Sequence, residues 1–410
     1  MTNKPTRSWA RTFAASALTA ALLVACGGSD PIPAGSAEPA GAPTARGTFT
    51  ALVTFGDSLS DIGAYTPATS LTGNGQAPYF GGKFTANSTS AKIWVENLAD
   101  TMGVVVTPGE VGFAGVSAKC PAAANPVLAS TCTAYGQGGS RVTDPNGIGH
   151  INATTGQPAA LTVPVKTQIA NHLTRFTSFK ASDLIIVWAG NNDAFMQFGA
   201  FSAAATAIKT REIQGQISAA EANKQLFEAQ TAAQTAMKLA AQELAAYVKT
   251  EILAKGGKYV AVMTLPDSTL TPFGASLKAD PQKAAAVPVL SALVDTFNLW
   301  LRDGLGGQPV KIIDQNAPGK DVYANPARYG ITNNQLPTCD ATKIAAITNN
   351  AVTDGSSLFC NSTPGAPYNG LRTGADVNTW QFADGVHPTP GGHKIISDYV
   401  TQQLRSFGWI

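Results

Sequence analysis

The chain has 410 residues, of which 44% are hydrophobic and only 13% charged. That is enough apolar material for a sizeable core and too little charge for a disordered chain. The formal charge of +2 falls to −1 once the three cations of the first 25 residues are set aside, which gives no electrostatic basis for binding nucleic acid.

The first element is an export signal. Lys4, Arg7 and Arg11 precede an apolar run from Phe13 to Ala25. The run is too short to cross a bilayer and polar residues follow it, so residues 1–25 read as a signal peptide. It ends in "LVAC", Leu23 to Cys26, which resembles the lipobox of bacterial lipoproteins. That resemblance implies that Cys26 is acylated and holds the exported protein on a membrane, the outer membrane being the expected one. The alternative is ordinary cleavage nearby that leaves Cys26 free. Residues 26–47 are mostly Gly, Pro, Ala and Ser and read as a flexible tether, with one domain from 48 to 410.

The other cysteines are Cys120, Cys132, Cys339 and Cys360. Four cysteines allow three connectivities. Short loops close most easily, so Cys120–Cys132 and Cys339–Cys360 are the expected disulfides. No cysteine–histidine spacing suggests zinc.

From residue 48 strands and helices alternate. "FTALVTF" is a strand and "AKIWVENLADTMG" a helix closed by Gly103. "DLIIVWAG" and "KYVAVMTLP" are unbroken apolar runs, as in parallel strands buried on both faces. A long Ala-rich helix separates them, from about 217 to 255. "AAAVPVLSALVDTFNLWLRDGL" contains a further helix, "VKIIDQ" is a strand and "GGHKIISDYVTQQLRSF" a last helix. This alternation predicts an α/β fold with a parallel sheet covered on both faces. Stretches 66–90, 104–160 and 321–380 read as long loops at the rim of a site.

Four constellations carry chemistry. "GDSLSDIG" begins where the first strand ends, and ligands of α/β sheets bind beyond such ends. Gly56 permits a close turn and Ser58 stands at its tip; Ser60 is a rival without bracketing glycines, and a capped turn is the plain alternative. "YGQGGSR" offers paired glycines for a close backbone approach. "GNND" follows the buried strand, where Asn192 can cap a helix or aim its amide at an oxyanion. "FADGVHPTPGGH" places Asp384 three residues before His387, a spacing that lets a carboxylate hold one imidazole nitrogen while the other faces a serine. His150 and His172 lack such a setting, and His393 reads as structural.

In this order the four resemble the blocks of the GDSL (SGNH) hydrolase family, over about residues 52 to 400. The resemblance implies a three-layer α/β/α sandwich with a flavodoxin-like sheet of about five parallel strands. It implies Ser58 as nucleophile, Asp384 and His387 as acid and base, and an oxyanion hole of Ser58, Gly139 and Asn192. The family has Asn and a small residue ahead of its paired glycines, where this chain has "TAYGQGG". The expected reaction is carboxylic ester hydrolysis through an acyl-enzyme, without cofactor or metal. Rival readings are a metal-dependent phosphoesterase, from the faint GDxxD and GNHD likeness of "GDSLSD" and "GNND", and a non-catalytic surface lipoprotein. Phe195, Met196, Phe198 and Phe201 line an acyl pocket or pack a helix; the residues leave both open.

Overall fold

The computed structural model describes residues 37–69, 81–366 and 368–410. The signal peptide and Cys26 lie outside the described residues. Among the described residues four parallel strands form the sheet: β1 (Ala51–Gly56), β4 (Asp183–Trp188), β5 (Tyr259–Met263) and β6 (Lys311–Ile313), in the order β1–β4–β5–β6. Val53 lies beside Ile185, Ile185 beside Val260, and Val262 beside Ile312. Every residue of β4 and β5 is buried, which is why their apolar runs have no polar alternation.

The sheet has four strands where about five are expected. The fifth position is held by a fragment: Ala134 bridges Thr54 in parallel, with Thr54 N–H donating to Thr133 and Tyr135 N–H to Thr54. Just past this bridge Gly136 lies so close to Ser60 that a Cβ there would be 2.6 Å from its carbonyl oxygen. With this fragment counted, the order is that of flavodoxin-like sheets, 2-1-3-4-5.

Alternate strand residues face opposite layers. Val53, Phe55, Ile185, Val187, Val260 and Val262 point to a core built with α3 (Val165–Phe176), α4 (Asn191–Ile213), α5 (Ala219–Tyr247) and α7 (Val287–Gly304). Leu52, Leu184, Ile186, Trp188, Ala261 and Met263 point to the other, built with α2 (Trp94–Met102) and α10 (Pro390–Ser406). The architecture is therefore an α/β/α sandwich. Short elements complete it: α1 (Thr66–Thr69), the hairpin β2 (Glu110–Phe113) and β3 (Val116–Lys119), α6 (Pro272–Ala279), α8 (Asn316–Ala324) and α9 (Ala341–Ile347). The hairpin and α9 lie in stretches that read as loop.

Residues 38–47 correct the tether reading. Trp409 Nε1 donates to the Pro43 carbonyl at 2.7 Å, Tyr259 hydroxyl to Ala45 at 3.2 Å, and Gly47 N–H to Trp409. Composition gives this stretch almost nothing to bury. The segment is fastened instead through its backbone carbonyl and N–H groups, which do not depend on side-chain composition.

His172, one of the histidines set aside for catalysis, sits in an aromatic nest. Its ring stacks on Phe179 with centroids 4.4 Å apart, and Phe55, Tyr135 and Phe176 surround it. Among the described residues neither ring nitrogen has a hydrogen-bond partner. Burial, helped by nearby Lys180, pushes its pKa down to about 4. The unfolded chain therefore takes up a proton that the folded chain refuses between the ordinary value near 6.5 and about 4, and stability falls as pH falls through that window. His172→Phe should be spared about 2–3 kcal/mol of the loss between pH 7 and 4.5. Denaturant unfolding of both proteins at the two pH values checks this; equal losses would refute it.

Candidate active site

The turn that carries Ser58 follows a strand that ends abruptly. A side chain at Gly56 would meet the Trp188 carbonyl oxygen at 2.3 Å, so only glycine lets β1 lie this close to β4 at its tip. Gln168 of α3 clasps the same glycine, accepting from its N–H at 2.9 Å and donating to its carbonyl at 2.8 Å. A single 3₁₀ turn, Ser58–Ser60, follows, capped by Asp57, which accepts from Leu59 N–H at 3.0 Å. Ser58 is left at the tip. Ser60 points inward, fully buried, with no partner for its hydroxyl among the described residues.

His387 Nε2 lies 2.8 Å from Ser58 Oγ, and His387 Nδ1 lies 2.9 and 2.8 Å from the two oxygens of Asp384. The structure thus brings together the three side chains that the sequence motifs single out. Asp384 also accepts from the N–H groups of His387, Val386 and Ser357, so the loop is wound around its own carboxylate. Burial disfavours charge on both partners, yet their mutual attraction prevails. It carries Asp384 well below the usual carboxylate range, and with help from Asp57 and Asp61 it holds His387 above the ordinary histidine value. Phe84 packs on the imidazole with ring centroids 4.8 Å apart.

Two further segments are tied to the nucleophile turn. Asp61 accepts from Gly138 N–H at 2.9 Å as well as from Gly63 and Ala64, and burial pushes its pKa up to about 6. Asp57 accepts from Asn191 Nδ2 at 3.0 Å. Gly139 has φ +78°, and a Cβ there would be 2.1 Å from the Ile148 carbonyl oxygen. Among the described residues the N–H groups of Ser58 and Gly139 donate to no protein acceptor. Asn192 is not the cap of α4, a position taken by Gly190. Its Nδ2 donates to the Ser140 carbonyl at 2.8 Å, which leaves the second hydrogen of the amide uncommitted. Asp193 braces this segment through Arg141 Nε and Val142 N–H, both at 3.0 Å.

The four apolar residues after Asn192 divide. Phe198 and Phe201 are buried in the core, and Met196 faces solvent. Phe195 is half-buried and meets Phe273 edge to face at 5.7 Å. Phe273 N–H donates to Gly385, two residues before His387. This pair forms an apolar wall between α4 and the histidine loop. Of the other histidines, His150 bonds Thr162 Oγ1 at 3.0 Å and His393 is buried in α10, its pKa pushed down to about 3.

A model of the GDSL-like lipase/acylhydrolase family matches residues 52–400. The chain belongs to that family. It is also similar to Esterase EstA of Pseudomonas aeruginosa and of Pseudomonas putida, each 32% identical over 158 residues, which are 37% of this chain. A third relative, an uncharacterized Pseudomonas putida protein of the trpE–trpG intergenic region, is 31% identical over 149 residues, 35% of this chain. The aligned stretch spans about a fifth of these curated relatives' own length, 20% for both EstA proteins and 21% for the third.

Sequence reasoning missed Asp57, Asp61, Gln168, Ser357 and Phe84. The two aspartates lie inside the quoted motif and were legible as buried carboxylates only once the turn was built. The other three approach from distant segments with no local signal.

Both expected disulfides are present, Cys120–Cys132 and Cys339–Cys360, with Cα atoms 5.4 and 6.1 Å apart. The second lies beside the acid. Cys339 N–H donates to Ala383, and Ser357, whose N–H binds Asp384, is three residues from Cys360. Replacing Cys339 and Cys360 by Ala should lower kcat roughly tenfold or more by loosening the carboxylate. Replacing Cys120 and Cys132 should cost stability with little change in kcat. Turnover of butyrate esters below both melting temperatures checks the contrast.

Proposed function

We propose that this chain is an exported serine esterase that cleaves carboxylic esters in two acyl-transfer steps. The observation that carries the reading is the unbroken hydrogen-bond chain from Ser58 through His387 to Asp384. Ser58 Oγ attacks the ester carbonyl as His387 Nε2 takes its proton, and Asp384 fixes the tautomer and steadies the imidazolium. The oxyanion is met by the N–H groups of Ser58 and Gly139 and by the Asn192 amide. His387 passes its proton to the leaving alcohol, then activates water to free Ser58. The Phe195–Phe273 wall, on the α4 side, suits an acyl chain.

The same reading takes residues 1–25 as a signal peptide, Cys26 as the lipid-bearing residue that holds the protein at a membrane, and 48–410 as the hydrolase domain. Two disulfides fit an oxidising compartment. The carboxylates that a metal-dependent reading would use, Asp57 and Asp61, are engaged by amide and backbone donors.

Ser58→Ala and His387→Ala should each remove almost all ester turnover, and the double variant should lose little more, because members of one unit are not additive. A fluorophosphonate should label Ser58 in the native protein; failure to label would favour a non-catalytic lipoprotein. The base works only when neutral, and its pKa is raised, so kcat/KM should fall on acidification from a point above the ordinary 6.5. Asp384→Asn removes the strongest attraction for the proton and should move that limb to lower pH while cutting the plateau rate. A limb unmoved by the change would contradict the assignment.

Asn192→Ala separates two roles for the amide. An oxyanion donor lost should cost roughly 10²–10³ in kcat with little change in KM. If the amide only anchors Ser140, melting temperature falls while the folded enzyme keeps its kcat.

A further inference from the structure

Gly138 and Gly139 carry four backbone polar groups, and protein partners engage three of them. Gly138 N–H donates to Asp61 Oδ2 at 2.9 Å. The Gly138 carbonyl accepts from the Tyr65 hydroxyl at 2.7 Å. The Gly139 carbonyl accepts from Ile148 N–H at 3.0 Å. Of the four, only Gly139 N–H has no protein acceptor among the described residues. Neither glycine has room for a side chain: a Cβ on Gly138 would lie 2.2 Å from the Phe84 ring, and one on Gly139 2.1 Å from the Ile148 carbonyl oxygen. Two residues without Cβ atoms give the peptide between them little steric resistance to turning over. Hydrogen bonds have to hold it. That peptide is planar and trans, so its C=O and N–H point in opposite directions, and fixing the Gly138 carbonyl fixes the Gly139 N–H. Tyr65 is itself fixed. Its side chain is buried, and its ring meets Phe84 and Phe113 edge to face at 6.2 and 6.3 Å. Its oxygen accepts from Thr162 N–H at 3.1 Å, which turns the hydroxyl hydrogen to Gly138. Burial, helped by Asp61, pushes the phenol above its ordinary value, so the hydroxyl keeps its proton at neutral and mildly alkaline pH.

We propose that Tyr65 is a positioning residue for the oxyanion: by holding the Gly138 carbonyl, its hydroxyl aims the Gly139 N–H at the developing charge. The inference rests on the esterase reading, in which that N–H is one of three donors. Two effects act together. The bond keeps the peptide from turning its carbonyl toward the oxyanion, which it would repel. It also polarises the peptide, so that the N–H at the other end becomes a stronger donor. Tyr65 touches no reacting atom and acts through the peptide alone.

Tyr65→Phe removes the hydroxyl and keeps the ring. Below its melting temperature, kcat for p-nitrophenyl butyrate should fall about tenfold, with KM within about twofold of native. A butyl trifluoromethyl ketone reports the same donor without turnover. Ser58 Oγ bonds its carbonyl carbon, the carbonyl electron pair moves to oxygen, and the serine proton passes to His387. The inhibition constant for this ketone should rise about tenfold in Tyr65→Phe, because the adduct carries the oxyanion. The acid limb of kcat/KM should stay where it is, since the His387–Asp384 pair is untouched. A folded Tyr65→Phe protein with native kcat and native ketone affinity would overturn the proposal and leave the tyrosine a purely structural clamp. So would a shifted acid limb, which would mean that the hydroxyl acts through the histidine. If Tyr65→Phe does not fold, 3-fluorotyrosine at position 65 decides. It keeps the shape and makes the hydroxyl a stronger donor, so ketone affinity should rise about twofold; unchanged affinity would refute the role. Fluorophosphonate labelling of the native protein keeps the two readings apart. An unlabelled protein defeats the esterase, whereas a labelled protein with a native-like Tyr65→Phe variant defeats only the role of Tyr65.

Discussion

Four carboxylates are buried around one hydroxyl, and each has to find donors. A charge taken out of water is tolerated only when paired or hydrogen-bonded. Asp57 finds Asn191, Asp61 finds Gly138, Asp193 finds Arg141 and Val142, and Asp384 finds His387 and Ser357. Apart from the Asp384–His387 pair, which lies within one loop, each bond joins two segments that are distant in sequence. They fasten the strand-tip turn, the glycine loop and the start of α4 to one another, and the histidine loop to the Ser357 segment. The order of the site follows from satisfying these groups, with the hydroxyl of Ser58 left over at the centre.

The glycines do the complementary work. Gly56 lets β1 approach the Trp188 carbonyl, and Gly136 lets the glycine loop approach Ser60. Where a carboxylate supplies attraction, a missing Cβ supplies room. The stunted fifth strand is one outcome: the backbone leaves the sheet early and turns over the nucleophile.

Much of this was legible in the sequence. The buried strands show as unbroken apolar runs, the turn as glycine, aspartate and serine at a strand end, and the base as the histidine with an acid three residues before it. The cysteine pairs follow from loop length. What stayed hidden depends on contacts between distant segments. Ser357 carries no motif, yet its N–H holds the acid. Phe195 and Phe198 are one turn apart on the same helix and both meet Phe273 edge to face, at 5.7 and 6.3 Å, yet the first is half-buried and the second buried, a difference the pattern of apolar residues does not show. Residues 38–47 have the composition of a linker, and composition is blind to a segment bound through its backbone.

The bond between His387 and Ser58 spans 329 positions of sequence. A polypeptide made from its N-terminus carries Ser58 early and His387 almost last. No shorter nascent piece contains both. The acid is gripped by a loop whose two ends are joined by a disulfide, and that bond forms only where thiols are oxidised. A chain that stops short of residue 387 carries Ser58 without its histidine partner. The spacing of the residues thus makes a nearly complete chain a condition for the Ser58–His387 contact.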